Sequence, residues 1–89
     1  MEKKMPALSN YQEILLFDME TLDLHGTQHS EVEDKLVEFY FWENVEPSNS
    51  LIITGNSQKM RQIVTEWLDK YEYNYYIPSY NAGEIRVTQ

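Results

Sequence analysis

The feature that most constrains the fold is an alternation of two hydrophobic periods along the chain. Four short segments are predicted to be β-strands, the first by its period of two and the second by a continuous apolar run; they are Glu20 to His25, Leu51 to Ile53, Tyr73 to Ile77 and Glu84 to Thr88. A helical period appears in two longer segments, which follow the first and the second of these strands. The predicted order is therefore strand, helix, strand, helix, strand, strand.

The first helical segment begins near Ser30. Ser30 and Glu33 fit a capping box, in which each side chain accepts a hydrogen bond from the other residue's free main-chain amide. Apolar residues then recur at spacings of three and four, at Val32, Leu36, Phe39 and Tyr40. Pro47 prevents the helix from continuing far beyond Asn44.

The second helical segment follows Leu51 to Ile53, a continuous apolar run typical of a strand that is buried on both faces. Ser57 is its predicted N-cap. One apolar face is expected, formed by Met60, Ile63, Val64, Trp67, Leu68 and Tyr71. The turn residues Asn81 to Gly83 then separate the last two strands.

This order predicts an α/β fold. Right-handed crossovers place the first two strands parallel and adjacent, and the closing hairpin adds an antiparallel edge. We expect a single-domain two-layer sandwich of order βαβαββ, with a four-stranded mixed sheet and two main helices. Residues 20–89 are expected to form this domain, because 89 residues suffice for one core. Residues 1–19 are expected to form an arm, with Tyr11 to Phe17 as an ordered lead-in that is either helical or extended.

Charge limits the classes of partner. The chain has 15 acidic and 7 basic residues, for a net charge of −8. Because phosphate neutralisation supplies much of the affinity for nucleic acid, RNA or DNA binding would need a local cationic patch and would be weak and salt-sensitive. The acidic balance alone favours a surface that either faces a protein partner or only keeps the domain soluble. The absence of cysteine predicts a cytoplasmic location, and no apolar run reaches the length of a membrane span.

The first strand ends in an acid and a histidine. Leu22 and Leu24 point to one face, so Asp23 and His25 point to the other, and Gly26 allows a sharp turn. An aspartate beside a histidine suits proton transfer near neutral pH. The alternative is a strand end whose polar side chains only face water.

The second strand ends in Thr54-Gly55-Asn56-Ser57, a strand-to-helix turn whose free amides and helix dipole can accept an anion. Ligands of open α/β sheets collect at the carboxyl ends of parallel strands, so this turn is expected beside His25. Lys59 and Arg61 would supply the local cationic patch. An ordinary turn and solvated cations are the alternatives. His29 is either a second proton-transfer group or a polar loop residue.

Several motifs together resemble one known family, the Smr (small MutS-related) domain. They are Leu22-Asp23-Leu24-His25-Gly26, then Ile52-Ile53-Thr54-Gly55, then Met60-Arg61-Gln62-Ile63-Val64 with Trp67-Leu68. The likeness covers about residues 20–89, and Gly83 stands in the place expected for the glycine of the closing hairpin. Ser57 stands where the family has its second glycine.

The resemblance implies a nucleic-acid-binding module, since Smr domains are associated with endonuclease activity on DNA or RNA and some only bind. By position, Asp23 and His25 match the first motif, Gly55 the second, and Arg61 the basic residue that opens the second helix. No cofactor or metal is implied. Nucleic-acid contacts are expected from Gly26, Thr54, Gly55, Asn56, Ser57, Lys59 and Arg61.

Our sequence-based hypothesis is a nucleic-acid-binding domain that is a candidate endonuclease. His25 would transfer the proton, Asp23 would orient it, and Arg61 with the amides of Gly55 to Ser57 would stabilise charge on the phosphate. The alternative is a non-catalytic module for nucleic acid or protein, supported by the exposed-looking tyrosines Tyr73, Tyr75, Tyr76 and Tyr80. A metal site on Asp23 and His25 would lack a recognisable third ligand.

Overall fold

A four-stranded mixed sheet forms one layer of the protein, whose computed structural model describes residues 19–89. The strands are β1 (Glu20–Asp23), β2 (Ser50–Ile53), β3 (Tyr75–Tyr76) and β4 (Glu84–Val87), and the main helices are α1 (Val32–Val37) and α2 (Gln58–Lys70). The predicted α/β sandwich of order βαβαββ is confirmed. The predicted lead-in at Tyr11 to Phe17 lies outside the described residues.

The order of the strands in the sheet is β1-β2-β4-β3. β1 and β2 are parallel neighbours, with Leu22 opposite Ile52, whereas β4 is antiparallel to both β2 and β3. The predicted parallel pair and antiparallel edge are thus confirmed. β3 is shorter than predicted at both ends. The amide of Tyr73 closes the turn that follows α2 by donating to Leu68 O at 2.9 Å, and Pro78 has no amide to donate to a neighbouring strand.

The first helix begins with a 3-10 turn at His29–Glu31, and α1 follows from Val32. The predicted capping box of Ser30 and Glu33 is wrong. The amide of Glu31 donates to the carbonyl of Gln28 at 2.9 Å, and no side chain caps the 3-10 turn or α1. The start of this helix is therefore closed by main-chain hydrogen bonds, with the amide of Glu31 on Gln28 O and that of Val32 on His29 O, instead of by the Ser30 hydroxyl.

The end of the first helix widens into a π-helical turn at Glu38–Trp42. Asn44 follows in the left-handed region, with φ of 58°, and a second 3-10 turn at Pro47–Asn49 leads into β2. The predicted apolar stripe is buried in full, at Val32, Leu36, Phe39 and Tyr40. The π-helical turn also places Phe41 and Trp42 outside the core.

The predicted N-cap of α2 is confirmed, since the hydroxyl of Ser57 accepts a hydrogen bond from the amide of Met60 at 3.0 Å. The helix buries one face, formed by Met60, Val64, Trp67 and Leu68. Tyr71, at its C-cap, is exposed, and Glu72 follows with φ of 64°. α2 therefore ends in a tight left-handed turn that leads directly to the edge strand.

Both helices pack on the same face of the sheet. Ile52 and Ile85 are paired across β2 and β4 and are fully buried against the helices. Leu51 and Ile53 point to the opposite face and are only half-buried. The prediction that β2 is buried on both faces is therefore wrong, because no second helical layer covers the other side within residues 19–89. Neither main helix has the length and apolar character to cross a membrane.

A buried polar chain links the first helix to β2. The hydroxyl of Ser50 donates its hydrogen to Pro47 O at 2.7 Å. The hydroxyl of Tyr40 must therefore be the donor in its own hydrogen bond with the Ser50 oxygen, also at 2.7 Å. Burial raises the pKa of the Tyr40 phenol to about 12. Around Tyr40 the rings of Phe39, Trp67 and Tyr73 pack with centroids 4.8 to 5.9 Å away. This polar pair is therefore embedded in an aromatic core.

Candidate functional site

Three turns meet at one edge of the sheet, and we call this region the His25 corner. It consists of residues 23–26, 54–57 and 81–83, which follow β1, follow β2 and precede β4. Asp23 lies opposite Ile53 in the parallel pair, and the amide of Leu24 donates to Ile53 O at 2.8 Å. The chain therefore leaves both parallel strands side by side, as an open α/β sheet requires.

His25 is exposed and its imidazole lies directly on Gly55. A β-carbon added at Gly55 would stand only 2.8 Å from Cδ2 of His25, closer than non-bonded carbons approach. Gly55 also has φ of 71°, in the region that favours glycine. Both the ring contact and the main-chain conformation therefore favour glycine here. The ends of β1 and β2, which the sequence predicted to be neighbours, therefore lie side by side.

Asp23 contacts the main chain of His25. Its Oδ1 accepts a hydrogen bond from the amide of His25 at 3.0 Å, which fixes the path of the chain into the turn. Gly26, with φ of 82°, continues this turn, and the amide of Thr27 closes it by donating to Leu24 O at 2.9 Å. The observed contact of Asp23 thus positions the backbone that carries the imidazole.

The carbonyl of Gly83 joins the β3–β4 turn to the end of β2. It accepts hydrogen bonds from the amides of Thr54 and Gly55, at 2.8 and 3.1 Å, and from the Thr54 hydroxyl at 3.2 Å. The expectation that the Gly55 amide is free to hold an anion is therefore wrong, since the Gly83 carbonyl already occupies it. Thr54 is buried, and its hydroxyl serves this internal contact.

The remaining amides of this turn have a different environment. Among residues 19–89, the amides of Asn56 and Ser57 make no well-aligned hydrogen bond to a main-chain carbonyl. They precede the first turn of α2, where the helix dipole favours an anion. In the predicted anion-binding segment, the amides of Thr54 and Gly55 are therefore already bound to Gly83, and those of Asn56 and Ser57 are the remaining candidates.

Arg61 reaches the same corner from α2. Its Nη1 donates to Ala82 O at 2.8 Å, and Ala82 precedes the Gly83 carbonyl that holds Gly55. Arg61 and His25 are therefore connected through the Ala82–Gly83 turn and Gly55. The arginine also lines an open groove of about 280 Å³ together with Gln58, Gln62, Thr65 and Ile77. This groove lies between α2 and the segment after β3.

Charge at the corner is mixed, in contrast to the acidic chain as a whole. Lys59 and Arg61 lie in the first turns of α2, and Lys59 is exposed. Asp23 and Glu84 both share a cross-strand row with Ile53, on the sheet face without helices. Glu84 is paired with Arg86, whose Nε lies 2.8 Å from its carboxylate. The α2 side of the corner is thus where an anion would meet cations.

The donors for a metal ion are few. Across residues 19–89, no three histidine, cysteine, aspartate or glutamate side chains come together as a metal-binding group. Asp23 and His25 thus have no third protein ligand in the described part of the chain.

His29 lies in the 3-10 turn before α1 and is exposed. Of the four tyrosines that were expected to be exposed, Tyr76 and Tyr80 are exposed, whereas Tyr73 and Tyr75 are half-buried.

The sequence reasoning missed Ala82 as the acceptor for Arg61 and Gly83 as the acceptor for β2. The only sequence signal was the turn Asn81-Ala82-Gly83, in which the Asn81 side chain accepts from the Gly83 amide at 2.9 Å. The motifs that resemble the Smr domain all lie at this corner or in the helix that leaves it. Family models, curated proteins and solved structures were all compared with the chain, and none matches it.

Proposed function

We propose that this domain binds a nucleic-acid strand at the His25 corner and cleaves a phosphodiester bond there. The observation that supports the proposal is the exposed imidazole of His25 lying on Gly55, between the two parallel strand ends. An imidazole both accepts and donates protons near neutral pH, and exposure leaves it open to a substrate. Because Gly55 has no side chain, the ring can approach the turn that precedes α2 closely.

Cations and amides on the α2 side supply the binding partners for phosphate. Arg61 and Lys59 carry the charge, and the amides of Asn56 and Ser57 point from the beginning of the helix. The contact between Arg61 and Ala82 holds the guanidinium beside the corner. The proposal requires that a phosphate bound there be within reach of both the imidazole and the guanidinium.

On RNA, the proton transfers involve only the substrate, His25 and water. The neutral imidazole accepts the proton of a ribose 2′-hydroxyl, whose oxygen forms a bond to the neighbouring phosphorus. The bond from phosphorus to the 5′ oxygen breaks, and that oxygen takes a proton from water. The products are a 2′,3′-cyclic phosphate and a free 5′-hydroxyl. Arg61 stabilises the charge that develops on the phosphate.

The decisive experiment compares wild type with His25→Ala on labelled single-stranded RNA, structured RNA, and nicked and supercoiled DNA. We expect cleavage of RNA by wild type and a loss of about a hundredfold or more in His25→Ala. His29→Ala is the matched control, because it removes an exposed histidine outside the corner. Equal cleavage by wild type and His25→Ala would exclude the enzyme.

The chemistry has its own control. An RNA with a single 2′-deoxy substitution should resist cleavage at that position, and the wild-type products should end in a cyclic phosphate. Cleavage of the deoxy position at an equal rate would mean that water, not the 2′-hydroxyl, is the nucleophile. It would contradict the RNA mechanism while leaving nucleic-acid binding in place.

A second candidate function is a binding module without catalysis. It is favoured by two tyrosines beside the corner, Tyr76 and Tyr80, with exposed fractions of 52% and 77%. The hydroxyl of Tyr80 lies 3.5 Å from Nη2 of Arg86, so one cation and two aromatic rings share this edge. Such groups stack on bases. Salt-dependent binding of uncleaved RNA would favour this function over the nuclease.

A further inference from the structure

A second surface lies at the far end of the helices, and we call it the aromatic patch. It consists of Phe41, Trp42 and Tyr71, whose exposed fractions are 46%, 80% and 41%. Phe41 and Tyr71 meet edge to face, with centroids 5.4 Å apart, and both rings contact the buried Trp67. Phe41 and Tyr71 therefore continue the aromatic core onto the surface, and Trp42 follows Phe41 in the chain.

Local backbone structure determines which rings face outwards. The π-helical turn that ends the first helix buries Phe39 and Tyr40 and exposes Phe41 and Trp42, the next two residues. Indole and phenol rings are the side chains that dominate protein interfaces, because they bury much area at little entropic cost. A cluster of exposed aromatic rings on a domain of this size marks an interaction surface.

The charges around the aromatic patch indicate the partner. Exposed acids flank it in the sequence, at Glu38, Glu43, Glu46, Asp69 and Glu72. The single base among its neighbours is Lys70, whose Nζ lies 5.4 Å from the centroid of the Tyr71 ring. These carboxylates would repel phosphate groups and would attract lysine and arginine side chains.

The aromatic patch is separate from the His25 corner. α2 begins at the corner and ends beside Tyr71, and its 13 residues extend over roughly 18 Å at the rise of an α-helix. A partner on the patch would thus leave His25 and Arg61 accessible. The inference below does not depend on the proposed nuclease function.

We propose that the aromatic patch binds a basic amphipathic helix of a partner protein. Trp42 inserts into the apolar stripe of that helix, Phe41 and Tyr71 pack beside it, and lysine or arginine side chains of the partner pair with the flanking acids. Apolar anchors surrounded by charges of opposite sign are the arrangement that acidic domains need to recognise such helices.

The test uses a labelled model peptide of about 18 residues, built from leucine and lysine in an amphipathic pattern, with fluorescence anisotropy as the readout. The comparison peptide has glutamate for every lysine. We expect the lysine peptide to bind and the glutamate peptide not to bind. Trp42→Ala should weaken binding about tenfold or more, as loss of an interface anchor does.

Tyr80→Ala is the matched control, since Tyr80 is as exposed as Trp42 but lies beside the corner. It should change the affinity by less than about twofold. A double variant, Glu43→Gln with Glu72→Gln, should retain the fold, because both side chains are exposed, and should reduce the dependence of binding on salt.

Several outcomes would overturn the proposal. Equal binding by wild type and Trp42→Ala, or equal binding of the two peptides, would mean that the patch does not recognise a basic helix. Competition by an oligouridylate would assign the surface to nucleic acid. Sedimentation that shows a dimer lost in Trp42→Ala would assign it to a second copy of the chain. The buried Trp67 also emits, so the emission of Trp42 is taken as the difference between wild type and Trp42→Ala. A difference spectrum that is blue-shifted in the monomer and unchanged by peptide would mean that the chain covers its own patch.

Discussion

Gly55 faces the imidazole of His25 so closely that an added β-carbon would lie 2.8 Å from Cδ2 of the ring. The atom that would have to move is part of an exposed side chain, so the ring and not the main chain would yield. This contact couples the glycine of one turn to the histidine of another. Substitutions at Gly55 and His25 can therefore be used to measure the stability of the fold separately from the proposed cleavage.

Gly55→Ala is expected to destabilise the fold by about 1–2 kcal/mol through its positive φ, with a further cost from the displaced ring. In the His25→Ala background the further cost should vanish, because the ring is absent. A double-mutant cycle measured by urea unfolding should thus give a coupling energy of about 0.5 kcal/mol or more. A coupling energy of zero would mean that the ring moves aside without cost.

Gly26→Ala is the control for this cycle. Gly26 has φ of 82°, yet a β-carbon there would have no heavy atom within 4 Å. We expect the same backbone cost as at Gly55, without any coupling to the His25 ring. A similar coupling at both positions would show that the cycle reports backbone strain alone.

Ser57→Ala should destabilise the domain by about 1 kcal/mol, because it removes the acceptor for the amide of Met60. For a domain of this size, the melting temperature should fall by roughly 4–8 °C. Ser30→Ala is the matched control, since no side chain caps the first helix. Thermal unfolding of both variants checks this, and an equal loss at Ser30 would contradict the absence of the capping box.

Alkaline pH should destabilise the domain through Tyr40. Burial raises the pKa of its phenol to about 12, above the value in the unfolded chain, so the folded state retains the proton longer. The stabilisation is complete below pH ~10 and is lost as the pH rises towards ~12, at up to about 1.4 kcal/mol per pH unit. Denaturant unfolding as a function of pH measures the slope.

Tyr40→Phe should flatten this pH dependence and lower stability at neutral pH by about 1 kcal/mol, because the Ser50 oxygen loses its donor. Some slope should remain, since burial also raises the pKa of Tyr73 and Tyr75. Tyr80→Phe, at an exposed site, should leave the profile unchanged. An unchanged slope in Tyr40→Phe would contradict the assignment.

Arg61→Gln should weaken RNA binding and reduce the slope of log affinity against log salt by about 1, as the loss of one phosphate contact does. Lys70→Gln is the matched control, because it removes the same charge at the opposite end of α2. Affinity measured from low to moderate salt distinguishes the two variants. Equal slopes in Arg61→Gln and wild type would mean that Arg61 serves only to hold Ala82.

Helix and strand periods in the sequence predicted the architecture well, because the buried residues define the elements. Leu24, Ile52 and Leu68 are fully buried, as the hydrophobic pattern requires. The pattern could not show that only one sheet face is covered, since a short run such as Leu51 to Ile53 reads the same in both environments. The capping-box prediction was wrong because the helix begins with a 3-10 turn held by main-chain hydrogen bonds, without a side-chain cap.

At the candidate site, the sequence placed His25 beside Gly55 by topology alone. It could not give the contacts of Arg61 and Gly55, because both are made to carbonyl oxygens of the Ala82–Gly83 turn. Every residue has a main-chain carbonyl group, so a hydrogen bond to one cannot be predicted from the type of the accepting residue. The observed role of Asp23, a hydrogen bond to a main-chain amide, was hidden for the same reason.

The carbonyl of Gly83 gathers three donors from Thr54 and Gly55, two of them main-chain amides. The shape of the corner is consequently determined by atoms that most substitutions leave in place. Side chains such as those of Ala82 and Asn56 can be exchanged while the scaffold persists, so new specificities can be introduced here without redesigning the fold.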